Sequence, residues 1–264
     1  MKYRLIFACI LASILFCPAQ IQKIMLVDHN EIGIKANEIV HLPGLGLGIY
    51  EDRDSIMLLD DPSFMKIKFI EPGRAKSFAS TRNGVYAAQG DSIIRMATDS
   101  LNHEFVGRMD NCQFTLSTAS DSTFFATTAD EDFSCVYEIF PETKECEPVF
   151  AVKAPILKIQ RNRTGTFLWI DDCIWRLEDS GKLTYVYQAD NITDMTITPI
   201  GIMIASPNGI MWITAPDTGS EIIRDSVDAL WWDNTDALYY LTTDGDLFAA
   251  IHIVERFMEI QENK

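Results

Sequence analysis

One hairpin pattern, TGTFLWIDDCIWRL at Thr164–Leu177, constrains the fold more than any other stretch of this sequence. β-branched and aromatic residues fill two short runs, Thr166–Ile170 and Cys173–Leu177, and the acidic pair Asp171–Asp172 separates them. Two such runs joined by a two-residue turn are typical of antiparallel β-strands. The stretch therefore predicts a strand, a tight turn and a second strand.

Similar hairpins recur along the whole chain. Their turns are centred near Asp52, Gly90, Glu131, Asn208 and Gly245. The spacing is close to about 40 residues, which is typical of propellers and related repeat arrays. The sequence predicts an all-β, six-bladed β-propeller with four-stranded antiparallel blades.

An open ring would expose the faces of two blades, so we expect a terminal strand to close it. Two segments compete for that role, Ile21–Val27 at one end and Arg256–Ile260 at the other. At Ile253–Asn263 a short terminal helix is an alternative to the final strand.

The residues Gly165–Ile170 and Cys173–Leu177 also carry a family resemblance. Read together as GTFLWI and CIWRL, they resemble the repeat of the two-component-regulator type of propeller, with partial echoes at Gly209–Thr214 and Leu238–Thr243. Asp171–Asp172 replaces the Gly-Thr that usually follows in that repeat. The resemblance implies a propeller fold and a role in recognition, and it implies no reaction.

The first 19 residues predict a secretory signal peptide. A short positive region precedes the apolar run LIFACILASILF, and Cys17-Pro18-Ala19 resembles a small-residue cleavage site. We expect one propeller domain over residues 20–264, beginning at Gln20, and a periplasmic or secreted location. A retained membrane anchor and lipidation at Cys17 are the alternatives. No other apolar run is long enough to span a membrane.

The formal net charge of −16 limits the partners of this chain. Nucleic acid and anionic membrane surfaces repel such a protein, whereas a basic protein or a cation is attracted. The alternative is that the acidic residues serve only solubility.

Acidic residues concentrate in the turns between second and third strands, which share one face of a propeller with the connectors between blades. The predicted partner-binding residues lie in two adjacent turns, and they are Asp130, Glu131, Asp132, Asp171 and Asp172. A carboxylate cluster on one rim can steer a basic partner. Turns also favour Asp for purely local hydrogen-bonding reasons.

Four cysteines remain after the signal segment: Cys112, Cys135, Cys146 and Cys173. An even number in an exported chain predicts at least one disulfide, and the three possible connectivities stay open. Because Cys-x-x-Cys and Cys–His zinc spacings are absent from the sequence, no metal role is predicted for them.

No sequence motif for catalysis or phosphate binding is present, and the four histidines share no metal-ligand spacing. The tryptophans fit the packing between blades better than sugar stacking. We therefore expect a monomeric, non-enzymatic binding protein without a cofactor. A specific form is an immunity or inhibitor protein that neutralises a basic toxin or hydrolase. The alternative is a metal-dependent propeller enzyme, lactonase- or lyase-like, with its site in the central channel.

Overall fold

The computed structural model describes most of the chain from residue 77 onward and separate strands before it. The described residues are 20–23, 29–35, 39–42, 46–50, 55–58, 66–68, 75, 77–96, 104–108, 114–129, 133–232, 236–255 and 258.

Twenty-five β-strands make up the regular structure of this part of the chain. The first ten are β1 (Gln20–Lys23), β2 (His29–Lys35), β3 (Ile39–Leu42), β4 (Gly46–Tyr50), β5 (Ser55–Leu58), β6 (Lys66–Lys68), β7 (Ser77–Thr81), β8 (Gly84–Gln89), β9 (Ser92–Met96) and β10 (Glu104–Arg108). The next eight are β11 (Phe114–Thr118), β12 (Phe124–Ala129), β13 (Ser134–Phe140), β14 (Glu145–Val152), β15 (Ile156–Asn162), β16 (Gly165–Ile170), β17 (Cys173–Leu177) and β18 (Leu183–Gln188). The last seven are β19 (Asp194–Thr198), β20 (Gly201–Ser206), β21 (Gly209–Ala215), β22 (Thr218–Ile223), β23 (Val227–Trp232), β24 (Ala237–Thr242) and β25 (Asp246–Ile251).

Strands β3–β25 form antiparallel sheets in which neighbours in sequence are neighbours in space, and β1 and β2 are added to two of these sheets. Sheet 1 is β3–β6, sheet 2 is β7–β10, sheet 3 is β11–β14 and sheet 4 is β15–β18. Sheet 5 is β19–β22 with β1 added, and sheet 6 is β23–β25 with β2 added. The first strands of successive sheets, from β3 to β23, contact one another in turn. The architecture is a β-propeller, in which such strands lie nearest the axis.

The predicted four-stranded antiparallel blades are confirmed, but five sheets have this form where the repeat predicts six. Sheet 5 differs because β1 pairs in parallel with β22, which gives it a fifth strand. Closure of the ring stays a prediction.

A segment near one end of the chain completes the last sheet, but it is neither of the two segments predicted for that role. The strand that completes sheet 6 is β2, which pairs antiparallel with β25. Its sequence, HNEIGIK, contains only two large apolar residues. An outermost strand has solvent along one edge, so it needs fewer apolar residues than an inner strand. Residues 21–23 of the predicted strand Ile21–Val27 belong to β1 on sheet 5. Of the other predicted strand, Arg256–Ile260, the structure describes only residue 258. That residue is helical, and so are residues 253–255.

Burial follows the position of each strand within its sheet. The second strand β8 is buried at five of its six residues, whereas the outer strands β10 and β14 are largely exposed. A sheet in a propeller has a neighbour on both faces, so its inner strands are apolar almost without alternation.

The apolar core consists of clusters that each join two neighbouring sheets. Phe124 packs with Tyr86 between sheets 2 and 3, and their rings are 4.8 Å apart. Phe125 packs with Leu168 between sheets 3 and 4. Equivalent clusters join sheets 4 and 5 and sheets 5 and 6.

Polar side chains of neighbouring sheets also accept hydrogen bonds from the innermost strands. The backbone N–H of Leu116 donates to Ser77 Oγ at 2.7 Å, and that of Ile197 donates to Gln160 Oε1 at 2.9 Å. The buried N–H of Ile156 donates to Ser134 Oγ at 3.0 Å. Each bond gives a backbone group of one sheet a side-chain partner in the neighbouring sheet.

Asp194 links three consecutive sheets in this way. Lys158 Nζ of sheet 4 lies 2.7 Å from Asp194 Oδ1, and the N–H of Leu230 in sheet 6 donates to Asp194 Oδ2 at 2.9 Å. The N–H of Met195 donates to Oδ1 at 2.8 Å. The side chains of Asp194 and Lys158 are only 14% and 27% exposed, so water screens their attraction little.

We expect Asp194→Ala to lower the free energy of unfolding by about 2–4 kcal/mol, because two backbone donors and one ammonium group lose their acceptor. Urea unfolding followed by tryptophan fluorescence measures the change. The control is Asp179→Ala on an exposed turn, which should stay within about 0.5 kcal/mol of the parent protein. Equal stability of the two variants would contradict the role of Asp194.

Candidate functional site

The turns between second and third strands lie on one face of the propeller, together with the connectors that lead from one sheet to the next. We call this the connector face. Asp171 and Asp172 form the turn between β16 and β17 on this face, and both are exposed. Asp130, Glu131 and Asp132, predicted for the adjacent turn, lie outside the described residues.

The Asp171–Asp172 turn has a defined local conformation. Asp171 has a φ of 52°, in the left-handed region that Asp tolerates better than most residues. The indole Nε1 of Trp169 donates to the carbonyl oxygen of Asp171 at 2.5 Å. The N–H of Ala189 donates to the carbonyl oxygen of Asp172 at 3.2 Å. These bonds hold the turn so that both carboxylates project from a fixed backbone.

The described part of the connector face carries an excess of acidic side chains. Its acidic residues are Asp91, Asp171, Asp172, Asp190, Asp225 and Asp244. Asp91 is neutralised by Arg108, whose guanidinium lies 2.7 Å from it and holds the pKa of that carboxyl below its usual value. Among the ion pairs of the described residues, none involves Asp171 or Asp172. The exposed basic side chain of Lys153 lies on the connector between sheets 3 and 4.

Several charged side chains on the opposite face form ion pairs. Arg161 Nη1 lies 3.1 Å from Glu138, and the hydroxyl of Thr123 donates to the same carboxylate at 2.6 Å. The Arg161 guanidinium also lies 4.5 Å from the centre of the Phe125 ring. Arg95 pairs with Glu104, and Arg176 pairs with Glu178. Asp171 and Asp172 differ from these residues because they take part in none of the ion pairs of the described residues.

Two exposed apolar side chains near this turn were missed by the sequence reasoning. Phe133 is 42% exposed and Leu157 is 48% exposed. Leu157 is the extra residue where the pairing of β15 with β16 shifts register. The repeat pattern in the sequence does not predict where such a bulge occurs.

The predicted disulfides are wrong for the described cysteines, because Cys135, Cys146 and Cys173 are free. Cys146 lies opposite Ile139, four residues along the strand from Cys135, which corresponds to about 13 Å. A disulfide needs Cα atoms within about 7 Å. Cys173 belongs to sheet 4, opposite Ile170 and Gln188. Cys112 lies outside the described residues.

The described residues contain no group of three or more His, Cys, Asp or Glu side chains that could hold a metal ion. Two clefts, of about 260 and 360 Å³, lie on sheet 3 and between sheets 2 and 3. Neither Asp171 nor Asp172 lines either cleft. Of the tryptophans, Trp212 is buried in the core between sheets 5 and 6, and Trp175 meets Tyr185 edge to face. No helix in the described part of the chain has the length and apolar character needed to cross a membrane.

No family model matches this sequence, and no curated protein matches it. The fold is nevertheless shared with many solved structures. The extracellular domain of a hybrid two-component system from Bacteroides thetaiotaomicron is similar with a TM-score of 0.57 at 11% identity, over 85% of this chain and 39% of that chain. This chain thus spans about two fifths of that one.

Two further solved structures are similar at the same level. The WD40 domain of Pan2 from Neurospora crassa gives a TM-score of 0.56 at 12% identity, over 81% of this chain and 74% of that chain. A chain in the nidogen/laminin complex gives 0.54 at 13% identity, over 77% and 84% of the two chains. Identities this low establish the β-propeller fold alone.

The thiol of Cys173 offers a probe of the electrostatic field at the Asp171–Asp172 turn. Burial raises the pKa of this thiol, and the carboxylates of Asp172 and Asp171 raise it further. We expect the variant with Asp171→Asn and Asp172→Asn to lower that pKa, since a thiolate forms more easily without neighbouring negative charge.

Alkylation of Cys173 at a fixed pH near 8 should therefore become faster in this variant. Iodoacetamide labelling followed by peptide mass spectrometry measures the rate. Cys146 serves as an internal control, because burial is the cause of its own raised pKa, so its rate should not change. An unchanged pH profile for Cys173 would show that the two carboxylates do not act on it.

Proposed function

We propose that this protein is a secreted or periplasmic propeller that acts by binding a basic protein and catalyses no reaction. The observation that carries the proposal is the unpaired acidic cluster around the Asp171–Asp172 turn. Its carboxylates are exposed and lie on a rigid scaffold. Such a cluster raises the rate at which a cationic partner arrives more than it raises the affinity.

The predicted rim contains Asp130, Glu131, Asp132, Asp171 and Asp172. The sequence places the first three between β12 and β13 of sheet 3, and the structure places the last two in sheet 4. The contact of Phe125 with Leu168 shows that these sheets are neighbours. In the proposed arrangement both acidic turns belong to one surface.

The complete ring is also part of the proposal. In this proposal sheet 5, despite its fifth strand, is a blade like the other five sheets. Sheets 6 and 1 would then meet to close a ring of six blades. Support comes from β2, which leaves the outer edge of sheet 6 and is followed three residues later by β3, the first strand of sheet 1. A chain that passes so directly from the last sheet to the first is suited to closure.

A narrower form of the proposal is an immunity or inhibitor protein that neutralises a basic toxin or hydrolase outside the cytoplasm. Three features support it: the predicted export signal, the small repeat domain and the net charge of −16. Among the similar structures, one is an extracellular domain and another lies in a complex of two proteins. A monomeric form fits a protein that presents one acidic face.

The proposed mature chain begins at Gln20, which is also the first residue of β1. The mass of the exported protein should match a chain that starts at Gln20. A diacylglyceryl mass on a chain that starts at Cys17 would show instead that the protein is a lipoprotein.

The rim is tested with purified proteins encoded by the neighbouring genes, since immunity proteins are encoded beside their toxins. The test variant carries Asp130→Asn, Glu131→Gln, Asp132→Asn, Asp171→Asn and Asp172→Asn. Its association rate should fall and lose its salt dependence, because the Debye length shrinks from about 10 Å at 0.1 M salt to about 3 Å at 1 M. Biolayer interferometry across this salt range measures the rates.

The matched control neutralises five exposed acidic residues that lie away from the connector face. They are Asp121, Glu145, Glu147, Asp179 and Glu255. Both variants should keep the parent melting temperature. Equal association rates for the rim variant, the control and the parent would move the binding surface to another part of the molecule.

A further inference from the structure

Four large apolar side chains are prominently exposed in the described part of the chain: Phe105, Phe133, Leu157 and Met258. Two of them, Phe133 and Leu157, flank a single hydrogen bond. The N–H of Ile156 donates to Ser134 Oγ at 3.0 Å, and both bonded atoms are buried. Phe133 directly precedes Ser134, and Leu157 directly follows Ile156.

This hydrogen bond brings two different sheets together at the connector face. Ser134 begins β13 of sheet 3, and Ile156 begins β15 of sheet 4. Consecutive Cα atoms are about 3.8 Å apart, so Phe133 and Leu157 border the same junction between the sheets. Two exposed apolar residues therefore lie at one junction, although they are 24 residues apart in sequence.

Leu157 is exposed at a position where a polar residue is structurally acceptable. It is the second residue of β15 and the extra residue at the register shift. In sheet 6 the second residue of β23 lies at the same kind of shift, and there it is Asp228, which is also exposed. The fold thus tolerates a charged residue at this position, and the apolar surface of Leu157 contributes little to the core.

Acidic residues flank this pair on both sides. Ile156 pairs with Ile170, the residue before the Asp171–Asp172 turn. Asp130, Glu131 and Asp132 directly precede Phe133 in sequence. We use the name apolar–acidic patch for Phe133, Leu157, Asp171 and Asp172.

We propose that the apolar–acidic patch binds a protein segment in which one or two large apolar side chains are flanked by lysine or arginine. Phe133 and Leu157 contact the apolar side chains, and Asp171 and Asp172 contact the basic residues beside them. This arrangement matches an interface with an apolar centre and a polar, charged rim. The inference rests on the proposed function, because it assigns the acidic rim a specific partner chemistry.

The two components have different roles in such an interface. Exposed carboxylates mainly set the association rate and its salt dependence. Apolar side chains that become fully buried mainly set the lifetime of the complex. Removal of each component should therefore change a different kinetic constant.

The test uses short synthetic peptides as probes. The first is GKKLKFKKG, which has leucine and phenylalanine among lysines, and the second replaces these two residues with alanine. We expect the parent protein to bind the first peptide about tenfold more tightly than the second, as measured by fluorescence anisotropy. The variant with Phe133→Ser and Leu157→Ser should lose this tenfold preference and keep its weak binding to the alanine peptide.

A matched control carries Phe105→Ser and Met258→Ser, which remove comparable exposed apolar side chains elsewhere. This control should retain the tenfold preference. Loss of the preference in the control to the same extent would overturn the proposal, because the peptide would then bind any exposed apolar surface. If the double variant at Phe133 and Leu157 melts at a lower temperature, the two single variants are compared in its place.

The variant with Asp171→Asn and Asp172→Asn separates this inference from the proposed function. Weaker peptide binding in this variant, with unchanged binding in the serine variant, would overturn the apolar contact and leave the acidic rim standing. Lost preference in the serine variant, with no effect of the asparagine substitutions, would support the apolar contact and overturn the rim. No effect of either variant would overturn both.

Discussion

The structure depends on how the innermost strand of each sheet satisfies the backbone groups along its free edge. A strand with one neighbour leaves a row of N–H and C=O groups unpaired, and burial without a partner costs about 1–3 kcal/mol for each group. In sheets 3 to 6, side chains of the adjacent sheet supply some of the missing acceptors. Ser77, Ser134, Gln160 and Asp194 each accept a hydrogen bond from a backbone N–H in a neighbouring sheet. These bonds fix the position of one sheet relative to the next along the propeller axis. Apolar packing alone does not specify that position.

The sequence predicts the repeated part of the fold well and its ends poorly. The hairpin at Thr166–Leu177 is found within one residue of the predicted strands. Its apolar runs favour strands and its acidic pair favours a turn, so both signals predict the same hairpin. The outermost strand β2 was not predicted, since a strand with a solvent-facing edge needs few apolar residues. Strand β1 was placed on the wrong sheet, because no local pattern states which free edge a short segment will join. The disulfide prediction failed because cysteine count and compartment give no information on strand register.

The candidate surface, too, could be predicted from the sequence only in part. The exposed turn at Asp171–Asp172 could be predicted, because its flanking strands define it. The exposure of Phe133 and Leu157 could not be predicted, since both residues look like ordinary core residues in the sequence. Their exposure follows from a register shift in β15 and from the start of β13 at Ser134. The register shift and the start of β13 both depend on how two sheets pack together. The sequence of a single repeat does not predict that packing.

The pairing of β2 with β25 has a consequence for the order in which the chain folds. About 220 residues separate His29 from its partner Ala250, so among the described strands this pairing joins the residues that are furthest apart in sequence. The middle sheets contain only neighbouring strands and can form while synthesis continues. Sheet 6 cannot acquire its outer strand until the C-terminal residues have been made. An early segment of the chain therefore stays without its strand partner until the last segment has been made, and during that interval its free backbone is available to chaperones.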